Sequence, residues 1–334
     1  MKRRSFVKLG IGALTVGILG NQASAALADA EWSVREFHAR RRFLHMRGGR
    51  IAYVERGAGP AAFFLHGWPL NGYHWRGSMG RLSNLRRCVA VDFMGLGYTD
   101  VPAEEGLSPS SQANMIVAVM DALKVDRADL VSNDSGTAVA QLIAARYPDR
   151  VRSMLITNGD VHTNSPPDLL KPTIEEARQG LLVERLARQV RDPKVAQTQE
   201  GLGVVYTNPL FVTPDLVDVY LRPLVSSATR RVQCQSYGVA FEPSPLPGIE
   251  AQLKRSQIPV RILWGTGDPL FTKEWAEWLN KTLPNSKGIR YVDGAKLFFA
   301  EEFPGLVAEE ARRLWGDESM ARAWSPNGLA RRRT

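Results

Sequence analysis

Short, mostly apolar runs recur along this chain, separated by stretches whose apolar positions keep a helical spacing. The runs are Ala61 to Leu65, Cys88 to Val91, Ala128 to Ser132, Val151 to Thr157, Val260 to Trp264 and Gly288 to Val292. A strand reads as a nearly continuous apolar run when both of its faces are covered, so these runs predict buried strands. Ser111 to Leu123 and Thr137 to Arg146 lie between them and carry the 3.6-residue pattern of helices. Strands alternating with helices in this way predict a mostly parallel sheet flanked by crossover helices. Ahead of them, strand-like patterns at Phe37 to His45 and Arg50 to Glu55 flank Gly48-Gly49 and predict a β-hairpin at the sheet edge.

The rhythm breaks from about Asp160 to Gln257, which is proline-rich at its ends, helix-patterned inside and without a convincing strand. Residues 160–257 are therefore expected to form a helical cap inserted into an α/β core made of 37–159 and 258–316. No internal repeat interrupts this organisation.

The first residues do not belong to that pattern. Arg3-Arg4-Ser5-Phe6-Val7-Lys8 precedes a weakly apolar run from Leu9 to Gly20, with Ala23-Ser24-Ala25 behind it. The run is shorter than the ~20 residues a membrane-spanning helix needs. It predicts a twin-arginine signal peptide over residues 1–25, hence the twin-arginine translocation machinery as a partner and a periplasmic or secreted location. The net charge of +9 is partly explained by this segment and by the basic tail, 317–334, with Arg331-Arg332-Arg333. The body is then only mildly basic. No stripe of Lys and Arg interleaved with aromatics points to nucleic acid. Two cysteines, Cys88 and Cys234, are expected to be buried free thiols, and no metal-ligand spacing or cofactor motif is present.

The chemistry concentrates where a strand runs into a helix, at Ser132-Asn133-Asp134-Ser135-Gly136. Small residues two before and two after the central position suit a sharp turn that exposes a nucleophile, and here that position holds Asp134. The helix that follows offers free N–H groups to an anion. Neither Ser132 nor Ser135 occupies the central position, which argues against a serine esterase. Upstream, His66-Gly67-Trp68-Pro69 ends another strand and is expected to present the Trp68 N–H as one donor of an oxyanion hole, with the Ser135 N–H as the other. Asp92-Phe93-Met94-Gly95-Leu96-Gly97 lacks the third glycine of a dinucleotide loop and reads as a tight loop beneath the site.

With these motifs in order, the chain resembles the α/β-hydrolase superfamily, on the branch of haloalkane dehalogenases, fluoroacetate dehalogenases and epoxide hydrolases, which use an aspartate nucleophile. The resemblance runs from about Phe37 to Trp315 and implies an ester formed on Asp134. It also implies an acid partner for a histidine, for which Asp268, in Trp264-Gly265-Thr266-Gly267-Asp268, is favoured over Asp160. The histidine is missing, because the loop Gly294-Ala295-Lys296-Leu297-Phe298 carries Leu297 at the expected position. The five histidines are His38, His45, His66, His74 and His162. Of these His162 is the candidate replacement base, while His66 is expected to shape the oxyanion loop and His74 to pack beside Trp75. The halide-holding Trp of many dehalogenases is Ser135 here. The cap tyrosines of epoxide hydrolases would correspond to Tyr206, Tyr220 or Tyr237.

The expected function is a hydrolase of small apolar substrates working through Asp134, dehalogenase- or epoxide-hydrolase-like, with an altered or absent general base. The alternative is a catalytically silent small-molecule-binding protein on the same fold.

Overall fold

A computed structural model describes residues 31–46 and 48–317. The expected signal segment and the basic tail beyond Asp317 lie outside the described residues. Eight strands form one sheet in the order β1-β2-β4-β3-β5-β6-β7-β8. They are β1 (Arg42–Met46), β2 (Gly49–Arg56), β3 (Ala61–Leu65), β4 (Arg87–Val91), β5 (Ala128–Asp134), β6 (Val151–Gly159), β7 (Val260–Gly265) and β8 (Ser286–Val292). β1 and β2 are an antiparallel hairpin and β2 meets β4 antiparallel, whereas every pairing from β4 through β3, β5, β6 and β7 to β8 is parallel.

The apolar runs sit where their patterning requires. β3 and β5 are buried at every position and occupy the middle of the sheet. Helices Pro109–Ala122 and Ser135–Arg146 cover it, and Phe63, Phe64, Val131 and Leu155 lie wholly inside. Full burial of such side chains contributes about 1.5–3 kcal/mol each. Cys88 and Cys234 are free and buried, and burial pushes each thiol up to about 12.

One sequence expectation is corrected near the start. The pattern from Phe37 to His45 predicts a strand throughout, but Val34–Ala39 is a helix and β1 begins only at Arg42. The helix forms because Ser33 and Glu36 make a reciprocal capping box, each side chain accepting from the other's backbone N–H. Phe37, on its buried face, belongs to the helix and not to the hairpin.

Between β6 and β7 the chain is helical, from Asp168–Leu170 through Lys171–Arg178, Leu182–Arg191 and Ala228–Val239 to Glu250–Leu253, with an isolated bridge between Val161 and Asn164. This insertion leaves and rejoins the sheet between two parallel strands, following the carboxyl end of β6. Open α/β sheets place their sites at that edge.

Candidate active site

The turn after β5 is built by what its neighbours lack. Asp134 has φ 54° and ψ −130°, a sparsely populated conformation costing about 1–3 kcal/mol. Helix Ser135–Arg146 begins at the next residue. A Cβ on Gly136 would lie 2.4 Å from the Leu65 carbonyl oxygen, and one on Gly159 would lie 2.3 Å from the Asp134 carbonyl oxygen. Only glycine lets the three segments approach this closely.

The Asp134 carboxylate is held from the opposite side. Trp68 N–H donates to its Oδ2 at 2.8 Å, and the Ser135 N–H also hydrogen-bonds it. A Cβ on Gly67 would come within 2.2 Å of the same oxygen. His66 sets the loop: its Nε2 accepts from Phe93 N–H at 3.1 Å, so its proton is on Nδ1, which donates to the Gly67 carbonyl at 2.9 Å. Burial pushes this imidazole down to about 4, which keeps it neutral. Asp92 braces the layer beneath, accepting from Gly72 N–H and Tyr98 N–H.

Asp134 opens onto a cavity of about 340 Å³ between the sheet edge and the insertion. Its wall is largely apolar, with Trp68, Leu186, Phe241, Phe271 and Leu297 among the lining side chains. Asp160, just past β6, lines it as well. Burial and the charge of Asp160 raise Asp134 well above the usual carboxylate range, against the lowering effect of the two N–H donors. Burial likewise pushes Asp160 up to about 7. Two carboxyl groups in one buried site cannot both ionise freely, so the pair holds a proton near neutrality.

The other sequence candidates are placed differently. Asp268, past β7, accepts from Asn158 Nδ2 at 2.8 Å and from Leu270 N–H at 2.9 Å, and burial pushes it up to about 6. His162 is not brought to the cavity. It has φ 47° and turns outward, its Nε2 3.1 Å from Glu250 and its ring 4.7 Å from that of Trp278. His74 packs edge-on against Trp75, and Tyr206 and Tyr220 point into the protein, donating to Glu301 at 2.5 and 2.6 Å. Tyr237 stands beside Ser135, and burial raises its phenol.

Two residues escape a reading of the sequence. Asn133 Nδ2 donates to the carbonyls of Leu297 and Asn158 and to Thr157 Oγ1, fastening the loop after β8 to the end of β5. A buried amide inside an apolar turn is its only signal. Glu301 collects Arg76, Tyr206 and Tyr220. Burial alone would raise it, but Arg76 and the hydrogen bonds hold it down to about 2. Its partners are too remote in sequence to be read from the chain.

A mostly parallel sheet flanked by helices, with a strained strand-to-helix turn at its carboxyl edge, is the architecture of an α/β hydrolase. The chain belongs to the α/β-hydrolase fold family, whose sequence model matches residues 60–303. Over 297 residues it is 24% identical to a cis-3-alkyl-4-alkyloxetan-2-one decarboxylase of Shewanella oneidensis, covering 86% of this chain and 92% of the other. Among solved structures it is similar to a haloalkane dehalogenase of Bradyrhizobium elkani, with TM-score 0.68 and 23% identity over 84% of this chain and 98% of the other. An epoxide hydrolase aligns with TM-score 0.66 and 20% identity over 83% of this chain and 98% of the other.

Proposed function

We propose that this hydrolase works through an ester on Asp134, opening small, largely apolar electrophiles of the alkyl halide or epoxide type. The observation that carries the reading is the Trp68 N–H on Asp134 Oδ2 at 2.8 Å, at the floor of the cavity. With that oxygen held, the other carboxylate oxygen is free to attack carbon. The held oxygen becomes the ester carbonyl, and the same donors then stabilise the anion formed when water adds to it. The apolar walls suit a substrate recognised by shape, and a volume of about 340 Å³ admits a small molecule.

Turnover in ¹⁸O-labelled water tests this. If the ester forms, a single turnover puts the label into the Asp134 carboxyl. Label found only in the product would overturn it. A silent small-molecule binder is the second reading, favoured by Leu297 at the position expected for a histidine and by the outward turn of His162. It predicts ligand binding with neither adduct nor turnover.

Export through the twin-arginine pathway is part of the same proposal. Loss of export when Arg3 and Arg4 are both changed to lysine supports it, and unchanged export refutes it.

A further inference from the structure

The cavity contains an ionisable group that the nucleophile does not explain. Its titratable lining residues are Asp134, Asp160 and Arg185. Arg185 is ion-paired with Glu176 at 2.7 Å, and a guanidinium does not give up its proton. That leaves Asp160. Its N–H reaches the Asp134 carbonyl oxygen at 3.3 Å, so the main chain fixes it beside the nucleophile. It is 3% exposed, and its Oδ1 is buried with no hydrogen-bond partner among the described residues. Leaving a buried polar atom unpaired is unfavourable, and a substrate oxygen or a water in the cavity would relieve it.

We propose that Asp160 is the proton-transferring residue of this site, acting as an acid on an epoxide oxygen while Asp134 opens the ring, and then as a base on the water that cleaves the ester. This rests on the reading of Asp134 as nucleophile. At the start the pair holds one proton, which rests on Asp134, the more strongly raised of the two; the reactive arrangement has that proton on Asp160, with the Trp68 and Ser135 N–H groups holding the Asp134 carboxylate. Asp134 attacks a ring carbon, the C–O bond breaks, and the oxygen takes the Asp160 proton, leaving a hydroxyalkyl ester and an Asp160 carboxylate. Asp160 next takes a proton from water as hydroxide adds to the Asp134 carboxyl carbon. The tetrahedral anion collapses, expelling an alkoxide that recovers this proton and departs as a diol. Asp134 is left as the acid, and its proton returns to Asp160.

An alkyl halide needs no acid in the first step, because halide leaves unprotonated. The two substrates therefore separate the two roles. In the Asp160→Asn protein an activated alkyl halide should still load Asp134 at close to the wild-type rate, and the ester should persist, with hydrolysis slowed ~10²–10⁴-fold. Loading by an epoxide should be slowed as well. Intact mass and peptide mapping read both.

A halide ester that hydrolyses at the wild-type rate in Asp160→Asn would overturn the proposal, as would a loss of epoxide loading in Tyr237→Phe with none in Asp160→Asn. Absence of any adduct on Asp134 in the wild type under single-turnover conditions would refute the nucleophile reading itself. A measurement on the wild type guards against misfolding of the variant. Epoxide loading should fall at alkaline pH, where the pair gives up its last proton, whereas hydrolysis of the halide ester should rise as pH passes about 7. The second inflection should lie lower, because esterification removes the Asp134 charge. The other groups facing the pair are Tyr237 from helix Ala228–Val239, Arg185 with Glu176 from the insertion, and Asp268 from the end of β7. Profiles without opposite slopes would refute the dual role.

Discussion

Trp68 N–H and Asp134 Oδ2, 66 positions apart in sequence, meet at 2.8 Å. The contact joins the loop after β3 to the turn after β5, strands that lie side by side in the sheet. Substituting Asp134 with Asn keeps an oxygen for this donor and removes the proposed nucleophile. We expect no adduct with halide or epoxide and a fall in turnover of about 10³-fold or more. Intact mass after incubation with substrate, beside a steady-state assay, checks it.

The same substitution should stabilise the protein in alkaline solution. Both carboxyls are raised by burial, so below their folded pKa values the native state holds protons that the unfolded chain releases above about 4. Native stability therefore falls as pH rises from about 4 towards 7. Asp134→Asn or Asp160→Asn should raise Tm more at pH 8 than at pH 5, by roughly 2–4 °C for each kcal/mol of repulsion removed. Thermal melts at the two pH values decide it, and equal shifts would contradict the shared-proton pair.

Gly67→Ala places a methyl group 2.2 Å from Asp134 Oδ2 and should displace the carboxylate. Gly136→Ala meets backbone oxygens of Leu65 and His66 that cannot rotate away. We expect a stability loss of about 1–3 kcal/mol at Gly136, and at Gly67 a loss of adduct formation exceeding the loss of stability. Denaturant titration and adduct kinetics separate the two.

Leu297 lines the cavity shared by Asp134 and Asp160, and its carbonyl is tied to Asn133 at 2.9 Å. In an Asp160→Asn background, Leu297→His should restore hydrolysis of the halide ester by ~10²-fold or more, the size of a general-base contribution. The decay of the loaded protein, followed by mass, measures it.

Glu301→Gln should destabilise the fold by about 3–5 kcal/mol, because the buried Arg76 loses the more deeply buried of its two ionic partners and keeps only the half-exposed Glu31 at 2.8 Å. Chemical denaturation is the test. The Glu301 carboxylate lies below its ordinary value, so its contribution is present above about pH 4.5 and is lost as pH falls towards 2.

The strands are legible because burial on both faces leaves little choice of residue: the expected run Ala61 to Leu65 is β3, and Val151 to Thr157 lies within β6. The turn at Asp134 is legible because its small neighbours are sterically required. Helix Val34–Ala39 is hidden by a strand-like pattern, although its capping box is local and readable. His162 shows the limit of reading position from sequence. It follows a strand end closely, yet a single left-handed residue turns its side chain away from the cavity to Glu250. Asp160, two residues earlier, faces the cavity.

The Glu301 cluster also bears on how a ligand gets in. Tyr206 and Tyr220 belong to the insertion, and both are bolted to a charge buried in the core. That middle part of the insertion is anchored to the core. Leu169 lies near the start of the insertion, 63% exposed and yet part of the cavity wall. Widening the cavity there disturbs a solvent-facing leucine, whereas widening it at the tyrosines would expose a carboxylate and a guanidinium. The wall of the Asp134 cavity reaches solvent at Leu169, in the short helical turn Asp168–Leu170, and at Gln199 and Pro269.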